Sequence, residues 1–343
     1  MINQVAYVTG GTGHLGRNLI MALLEEEEDV FVVALVLKKD THRDFGKLQE
    51  RILFIDGDIS NPESIDEFLS AKSDCKARRV LYHAAGKISI LKKKDPLVFT
   101  INVDGTRNML EGALRHSIDK FIYVSSVDAI DKPEKPDKVV EEDRFSPEKI
   151  EGVYGQSKAM ASNLVLDYAR KGLDVSIVQP TAIMGPGDVF GGPINTAIRK
   201  YLNHHLKVAV KGGYDIVDVR DVAKGMILAS KKGRNGKCYI LSGTYVSVLG
   251  LLEIAHQFSG VKKTRATIPH FIVKMVSPIL ELHARIHHKK PLFTGFSMDC
   301  LNENSNYSCE RAQKDLGYQR RPLEETMKDT VGWMYKEGLA MKD

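Results

Sequence analysis

Tyr154 and Lys158, in the stretch YGQSK, stand four residues apart, a spacing that puts both side chains on one face of a helix. A nearby ammonium favours the phenolate over the phenol, drawing the tyrosine towards a working pH at which it serves as general acid or base. Taken alone, the same spacing fits an ordinary surface pair. A second grouping lies near the start, in VTGGTGHLGRN, Val8 to Asn18. Gly10, Gly13 and Gly16 follow a short apolar run and precede a helical pattern. Gly10 permits a tight turn, Gly13 lets a phosphate approach the backbone, and Gly16 lets helix and strand pack closely. The helix N-terminus then offers free N–H groups and a positive dipole end to a pyrophosphate. Any tight strand-to-helix turn can share these glycines, so the neighbouring elements decide.

Those elements alternate as a parallel sheet with crossover helices requires. Val5 to Thr9 reads as a first strand, Arg17 to Leu24 as its helix, and Val30 to Leu37 as a second strand without polar alternation, as in a sheet covered on both faces. RILFIDGDIS, RRVLYHAAG, DKFIYVSSV and LDVSIVQP supply four more strands, the last ending at Pro180, with a helix around Asn102 to His116 before the fifth. The expected fold is α/β: a Rossmann-type doubly wound parallel sheet with helices on both faces and a smaller C-terminal α+β lobe. Residues 1–180 form the dinucleotide-binding domain, residues 215–245 return to it, and residues 181–343 are mainly the substrate lobe. Val217 to Ala229 and Cys238 to Ser242 are the returning segments.

The chain of 343 residues, 43% hydrophobic and 27% charged, has the make-up of a globular protein. Its net charge of +5 is spread along the chain, which argues against nucleic acid as a partner. Cys75, Cys238, Cys300 and Cys309 form neither a disulfide scaffold nor a CxxC pair. The start MINQVAYVTGG lacks the pattern of a signal peptide, and no window reaches the roughly 18 apolar residues of a membrane span. A cytoplasmic protein is expected. HARIHHKK, His283 to Lys290, has no carboxylate or thiol spaced to complete a metal site and reads as a basic helix end. No metal is expected.

The order of further motifs, T-G-x-x-G-x-x-G, then GDIS, HAAG, NVDGT, YVSS, YGQSK and QPTAIMGPGD, resembles the extended branch of the short-chain dehydrogenase/reductase superfamily. VYGQSKAMA, YDIVDVRDVAKGMILA and QKDLGYQRRPLEETMKDTVGWM look most like its dihydroflavonol 4-reductase-like group, with 3β-hydroxysteroid dehydrogenases as neighbours. The resemblance implies a Ser126, Tyr154 and Lys158 catalytic set, Ser126 holding the substrate oxygen and Lys158 also holding the nicotinamide ribose. Ser125 fits that register less well. It further implies that Gly10, Thr12, Gly13, His14, Leu15 and Gly16 line the dinucleotide pyrophosphate. Asp58 and Ile59 match the adenine pocket, Ala84, Ala85 and Gly86 the wall beside the adenosine ribose and phosphates, and Pro180 to Ile183 the nicotinamide carboxamide segment. Asn102 matches an asparagine of structural role, and His14 reads as a solvent-facing filler.

Departures narrow the activity. Sugar-nucleotide epimerases usually carry an Asn where this chain has Ala182 and an Arg where it has Gln179, and the central acid of the dehydratase pattern is Val127 here. The resemblance therefore implies a reductase exchanging hydride between NAD(P) and a carbonyl or secondary alcohol of a small molecule. The rivals are an epimerase or dehydratase and a cofactor-sensing regulatory protein, the latter typically lacking the tyrosine and lysine. After the second strand come Lys38 and Lys39, with no acid until Asp40. That favours NADP, with NAD the reading if Asp40 takes the ribose position. The apolar stretch Arg265 to Ile286 could line an apolar pocket, rest on a membrane surface or pack in the core. Relatives pair through helices equivalent to Val103 to Leu114 and Ala159 to Tyr168, which implies a two-fold homodimer.

Overall fold

The computed structural model describes residues 2–73, 76–89, 92, 95–269, 272, 273, 275 and 299–341. Cys75, the segment HARIHHKK and most of the apolar stretch Arg265 to Ile286 lie outside the described residues.

Seven parallel strands form the main sheet: β1 (Gln4–Thr9), β2 (Val30–Val36), β3 (Ile52–Asp56), β4 (Arg78–His83), β5 (Lys120–Val124), β6 (Val175–Pro180) and β10 (Lys237–Leu241). Their order is β10-β6-β5-β4-β1-β2-β3, so the winding reverses between β1 and β4. Every residue of β1, β5 and β6 is buried, as a sheet covered on both faces demands. The period of two sorts them. Tyr7, Val33 and Ile177 enter one core with Phe68, Met109 and Val165. Val8, Ala34 and Val178 enter the other with Leu19, Ile20 and Met226. The first core lies under helices α2 (Pro62–Ser70), α4 (Gly105–Arg115) and α5 (Val153–Arg170), the second under α1 (His14–Glu26) and α7 (Val219–Lys232). A short α3 (Pro96–Phe99) runs into a π-helical turn, Thr100–Asp104, before α4.

After β6 the chain leaves the sheet. β7 (Ala182–Met184) pairs with β9 (Gly213–Asp218), which pairs antiparallel with β11 (Thr244–Ser247). β8 (Ala209–Val210) pairs with β12 (Thr267–Ile268). Helices α6 (Pro193–Leu202), α8 (Val248–Ser259) and α10 (Leu323–Lys336) enclose a separate core containing Met184, Tyr201, Leu252 and Met327. Helix α9 (Glu310–Leu316) instead packs on α7 and β10. Ion pairs Arg220–Asp329 (2.6 Å) and Arg321–Asp221 (2.9 Å) fasten α7 to α10 and the residues leading into it.

Local boundaries differ from the sequence expectation for identifiable reasons. Helix α1 begins at His14 rather than Arg17, because extended Gly13 is its N-cap and accepts from the Arg17 N–H at 2.8 Å. β2 stops at Val36, since the Leu37 carbonyl turns to accept from the Asp40 N–H (2.9 Å) and from Arg43 (3.2 Å). Val217 belongs to β9 of the small sheet, and the chain returns to the main sheet only with α7.

Candidate active site

The carboxyl ends of the strands gather the side chains of interest, at the edge where open α/β sheets hold ligands. Ser126 follows β5 and caps the turn Val127–Ala129, its hydroxyl accepting from the Asp128 N–H at 3.1 Å. Tyr154, in the first turn of α5, lies close enough to Ser126 for the serine hydroxyl to act on its phenol. Ser125 points the other way, its hydroxyl 2.8 Å from that of Ser162 inside α5. Ser162 therefore has a use the sequence did not reveal: it occupies the wrong serine.

Lys158 lies one turn beyond Tyr154, 4% exposed, its ammonium donating to the Val124 carbonyl at 2.7 Å and standing 4.9 Å from the centre of the Tyr123 ring. Burial draws its pKa down to about 7. Tyr154 is pushed above the ordinary phenol value, by burial first and by the Asp128 charge second, against the opposing bond from Ser126. The expected lowering of the tyrosine by the lysine is thus reversed. The lysine faces a strand carbonyl and is itself close to losing its proton, while the phenol is stripped of water.

Behind this pair lies a network of which the sequence reading named only Asn102, in a structural role. Asn102, in the π-helical turn, accepts from the Lys87 N–H (2.8 Å) and donates to the Lys87 carbonyl (3.0 Å) and to Ser157 (2.9 Å). Ser157 in turn donates to the Tyr154 carbonyl at 2.7 Å. His83 is fully buried at the end of β4, with Nδ1 2.8 Å from the Thr9 hydroxyl and Nε2 3.0 Å from that of Thr106. Thr106 donates to the Asn102 carbonyl (2.7 Å), so it accepts from the His83 Nε2–H, and Thr9 donates to Nδ1 while accepting from the Ala85 N–H (3.0 Å). Burial, then the Lys158 charge, depresses His83 to about 3, so the ring is neutral with one tautomer. The histidine of HAAG was the available signal.

The glycine loop meets the loop after β4 at the point where strand order reverses. Gly10 has φ of 69°, and a Cβ on Gly16 would stand 2.1 Å from the Gly10 carbonyl oxygen, so helix α1 can start there only without a side chain. A Cβ on Gly10 would lie 3.1 Å from the Ala85 backbone, and one on Gly86 3.3 Å from the Lys158 ammonium. Ala84, Ala85 and Gly86 thus connect the loop to Lys158. Leu15 packs into the core beneath. His14 is not a solvent-facing filler: its Nε2 lies 3.1 Å from the Pro186 carbonyl, and burial lowers its pKa. Thr12 is buried and donates to the Asp40 carboxylate at 2.8 Å, while Lys38 and Lys39 are exposed. Asp58 and Ile59 follow β3. Asp58 is exposed and accepts from the Ser60 N–H and hydroxyl, each at 2.8 Å, whereas Ile59 is buried. Pro180 ends β6 and Ile183 sits in β7. These residues do not form one compact cluster; they run along the carboxyl edge from β3 to β7, the shape an elongated ligand needs. A dinucleotide fits the glycine cradle, whose loops leave no room for side chains facing it.

Residues 6–242 match the model of the NAD dependent epimerase/dehydratase family. The chain belongs to that family. It is a member of the extended short-chain dehydrogenases/reductases, with NAD(P) as their cofactor class. It is 28% identical over 336 residues to the "Putative dihydroflavonol 4-reductase" of Synechocystis sp., covering 97% of this chain and 95% of the relative. It is 28% identical over 343 residues to sterol demethylase protein B of Methylococcus capsulatus, covering 97% and 98%. Among solved structures, that of gox2253 superposes with a TM-score of 0.81 at 29% identity over 98% of this chain and 99% of that one. UDP-glucose 4-epimerase of Thermotoga maritima shares the fold at a TM-score of 0.76 and 20% identity, over 97% and 99%. No helix among the described residues is long and apolar enough to cross a membrane.

Proposed function

We propose that this protein is an NAD(P)-dependent oxidoreductase whose Ser126, Tyr154 and Lys158 act on a carbonyl, or on the corresponding secondary alcohol, of a small organic substrate. The observation that carries the reading is buried Lys158, one turn after Tyr154 on α5, held at the end of β5 beside Gly86 and the glycine cradle. When bound, the dinucleotide supplies or accepts the hydride. Ser126 and Tyr154 hold the substrate oxygen, and Tyr154 exchanges a proton with it. The upward-shifted phenol keeps its proton at neutral pH, the form required to donate to a carbonyl oxygen as it becomes an alcohol. Lys158 turns from the Val124 carbonyl to the nicotinamide ribose. Gly10, Thr12, Gly13, His14, Leu15 and Gly16 hold the pyrophosphate, Asp58 and Ile59 the adenine, Ala84 to Gly86 the adenosine ribose and phosphates, and Pro180 and Ile183 the carboxamide side.

NADP is the preferred cofactor in this reading. Lys38 and Lys39 stand exposed just beyond β2, and the Asp40 carboxylate is engaged by Thr12. Residues 181–343 mainly shape the substrate lobe, and the names of the relatives make sterols and dihydroflavonols the first compounds to try. Two copies pair through α4 and α5, where Leu114 and Met160 are exposed.

Tyr154→Phe tests the assignment. It should lower turnover about a hundred- to ten-thousandfold with cofactor affinity nearly unchanged, measured by cofactor absorbance against a panel of ketones and secondary alcohols. Near-normal turnover by the variant would reject the catalytic role.

A further inference from the structure

The turn that leads into β10 carries chemistry unrelated to hydride transfer. Asn235 and Gly236 form the only Asn-Gly pair in the sequence. They occupy the middle of a turn closed by the Lys237 N–H, which donates to the Arg234 carbonyl at 3.2 Å. Asn235 is exposed, and Gly236 has φ of 69°, the left-handed backbone that favours glycine at the third position of such a turn. The frame around the pair is fixed. Arg234 is ion-paired with Asp315, its N–H donates to the Tyr239 hydroxyl at 3.0 Å, and the Lys120 ammonium donates to the Gly233 carbonyl at 2.8 Å. An asparagine followed by glycine can close on its own backbone: no side chain shields the glycine nitrogen, and its attack on the carboxamide carbon makes a five-membered ring.

The same two residues grip β6. The Val175 N–H donates to Asn235 Oδ1 at 3.0 Å, and the Gly236 N–H donates to the Val175 carbonyl at 2.9 Å. This pair of bonds sits one step ahead of the Lys237–Ser176 register, so the carboxamide starts the ladder between β6 and β10. That ladder lies at the border of the main sheet. One residue of β6 therefore ties up both reacting groups. The Gly236 nitrogen cannot attack while its proton is held, and the carboxamide cannot turn towards it while its oxygen is held. Local opening at the border frees both.

We propose that Asn235 is a site of spontaneous deamidation, gated by opening of its clip to Val175, and that the reaction destroys the clip. In the open state the Gly236 nitrogen gives its proton to hydroxide and bonds to Asn235 Cγ. The carboxamide C–N bond breaks, and ammonia leaves with a proton taken from water, which restores the hydroxide. Water then opens the succinimide at either carbonyl, giving aspartate or isoaspartate. Isoaspartate adds a methylene to the backbone between the two residues, so Asn235 and Gly236 no longer meet Val175 in register and the start of β10 is loosened permanently.

Hydrogen exchange of the Gly236 N–H and attack by its nitrogen require the same opening and the loss of the same proton, so folding should slow both by one factor. The full chain is incubated at mildly alkaline pH, native and in urea, and every asparagine is followed by peptide mapping with mass spectrometry and isoaspartyl methyltransferase labelling. Asn235 should convert ahead of all others in both samples, about tenfold or more slowly when native, and that ratio should match the exchange protection of Gly236 to within about threefold. Exchange across Lys237 to Leu241 should quicken once conversion is complete. Asn235→Ser, which has no carboxamide, should show neither the mass gain nor the label at this position. Another asparagine converting first in the native protein, equal native and unfolded rates, or no native conversion within the time that the exchange protection sets overturns the proposal. Both measurements are made on the wild-type chain, so the outcome does not depend on the variant folding.

Discussion

Replacing Lys158 with Met tests the electrostatics of the site without any substrate. In the unfolded chain this amine holds its proton up to about pH 10.5, and in the folded protein only to about 7. Each pKa unit corresponds to about 1.4 kcal/mol, so burying the cation costs the fold about 5 kcal/mol at and below neutral pH. Between the two values the unfolded chain binds more protons, and folding therefore becomes more favourable as pH rises through that window. Between about pH 6 and pH 9 the wild-type protein should recover roughly 3 kcal/mol from this residue, whereas the methionine variant should recover none. Urea unfolding of both proteins without cofactor, at several pH values, isolates the effect as the difference between them. The variant should be favoured at the acid end by more than at the alkaline end. A difference that does not vary with pH would mean that Lys158 keeps its full charge in the fold, and the reasoning from its burial would be refuted.

Two further outcomes concern cofactor and assembly. Charge reversal at Lys38 and Lys39 should weaken NADP at least tenfold while leaving NAD nearly unaffected, read by titrating each cofactor; tighter NAD binding in the wild type that is insensitive to both changes would reject the NADP preference. Light scattering at micromolar concentration should report a two-fold homodimer, and Met160→Glu, on the outward face of α5, should yield monomers; a monomeric wild type would reject the pairing.

The main sheet was legible because its signals are local. Apolar runs without alternation, each followed by a helical period, specify buried parallel strands, and the glycines announce the first turn. The return of Cys238 to Ser242 to the main sheet was read from the sequence, but not its place in the strand order, since nothing near Cys238 says which edge it joins. The three residues of β7 and the two of β8 are too short to carry a period. At the site, spacing named Tyr154 and Lys158 and the resemblance named Ser126, and the structure brings the three to one end of β5 and α5. The direction of the tyrosine shift was not legible, because it depends on burial and on where the Lys158 ammonium points. His83 and Ser162 escaped for a related reason: their partners lie far away in the chain, Thr9 and Thr106 for the histidine and Ser125 for Ser162. His14 shows the same limit, since only the return of Pro186 over the glycine loop buries it.

The place of β10 at the edge of the sheet has a consequence for how the polypeptide is made. Ser126, Tyr154 and Lys158 all precede β6, but β6 has no partner on its outer side until Lys237 to Leu241 have been synthesised. At about 5–20 residues per second, a ribosome takes several seconds to cover that interval. Throughout it, the nascent chain carries these three residues on a sheet with an open, apolar border, the kind of edge on which other strands can add. The closing strand arrives only after β7, α6, β9 and α7 have been made, so the segments that shape the second lobe also separate the sheet from its own completion.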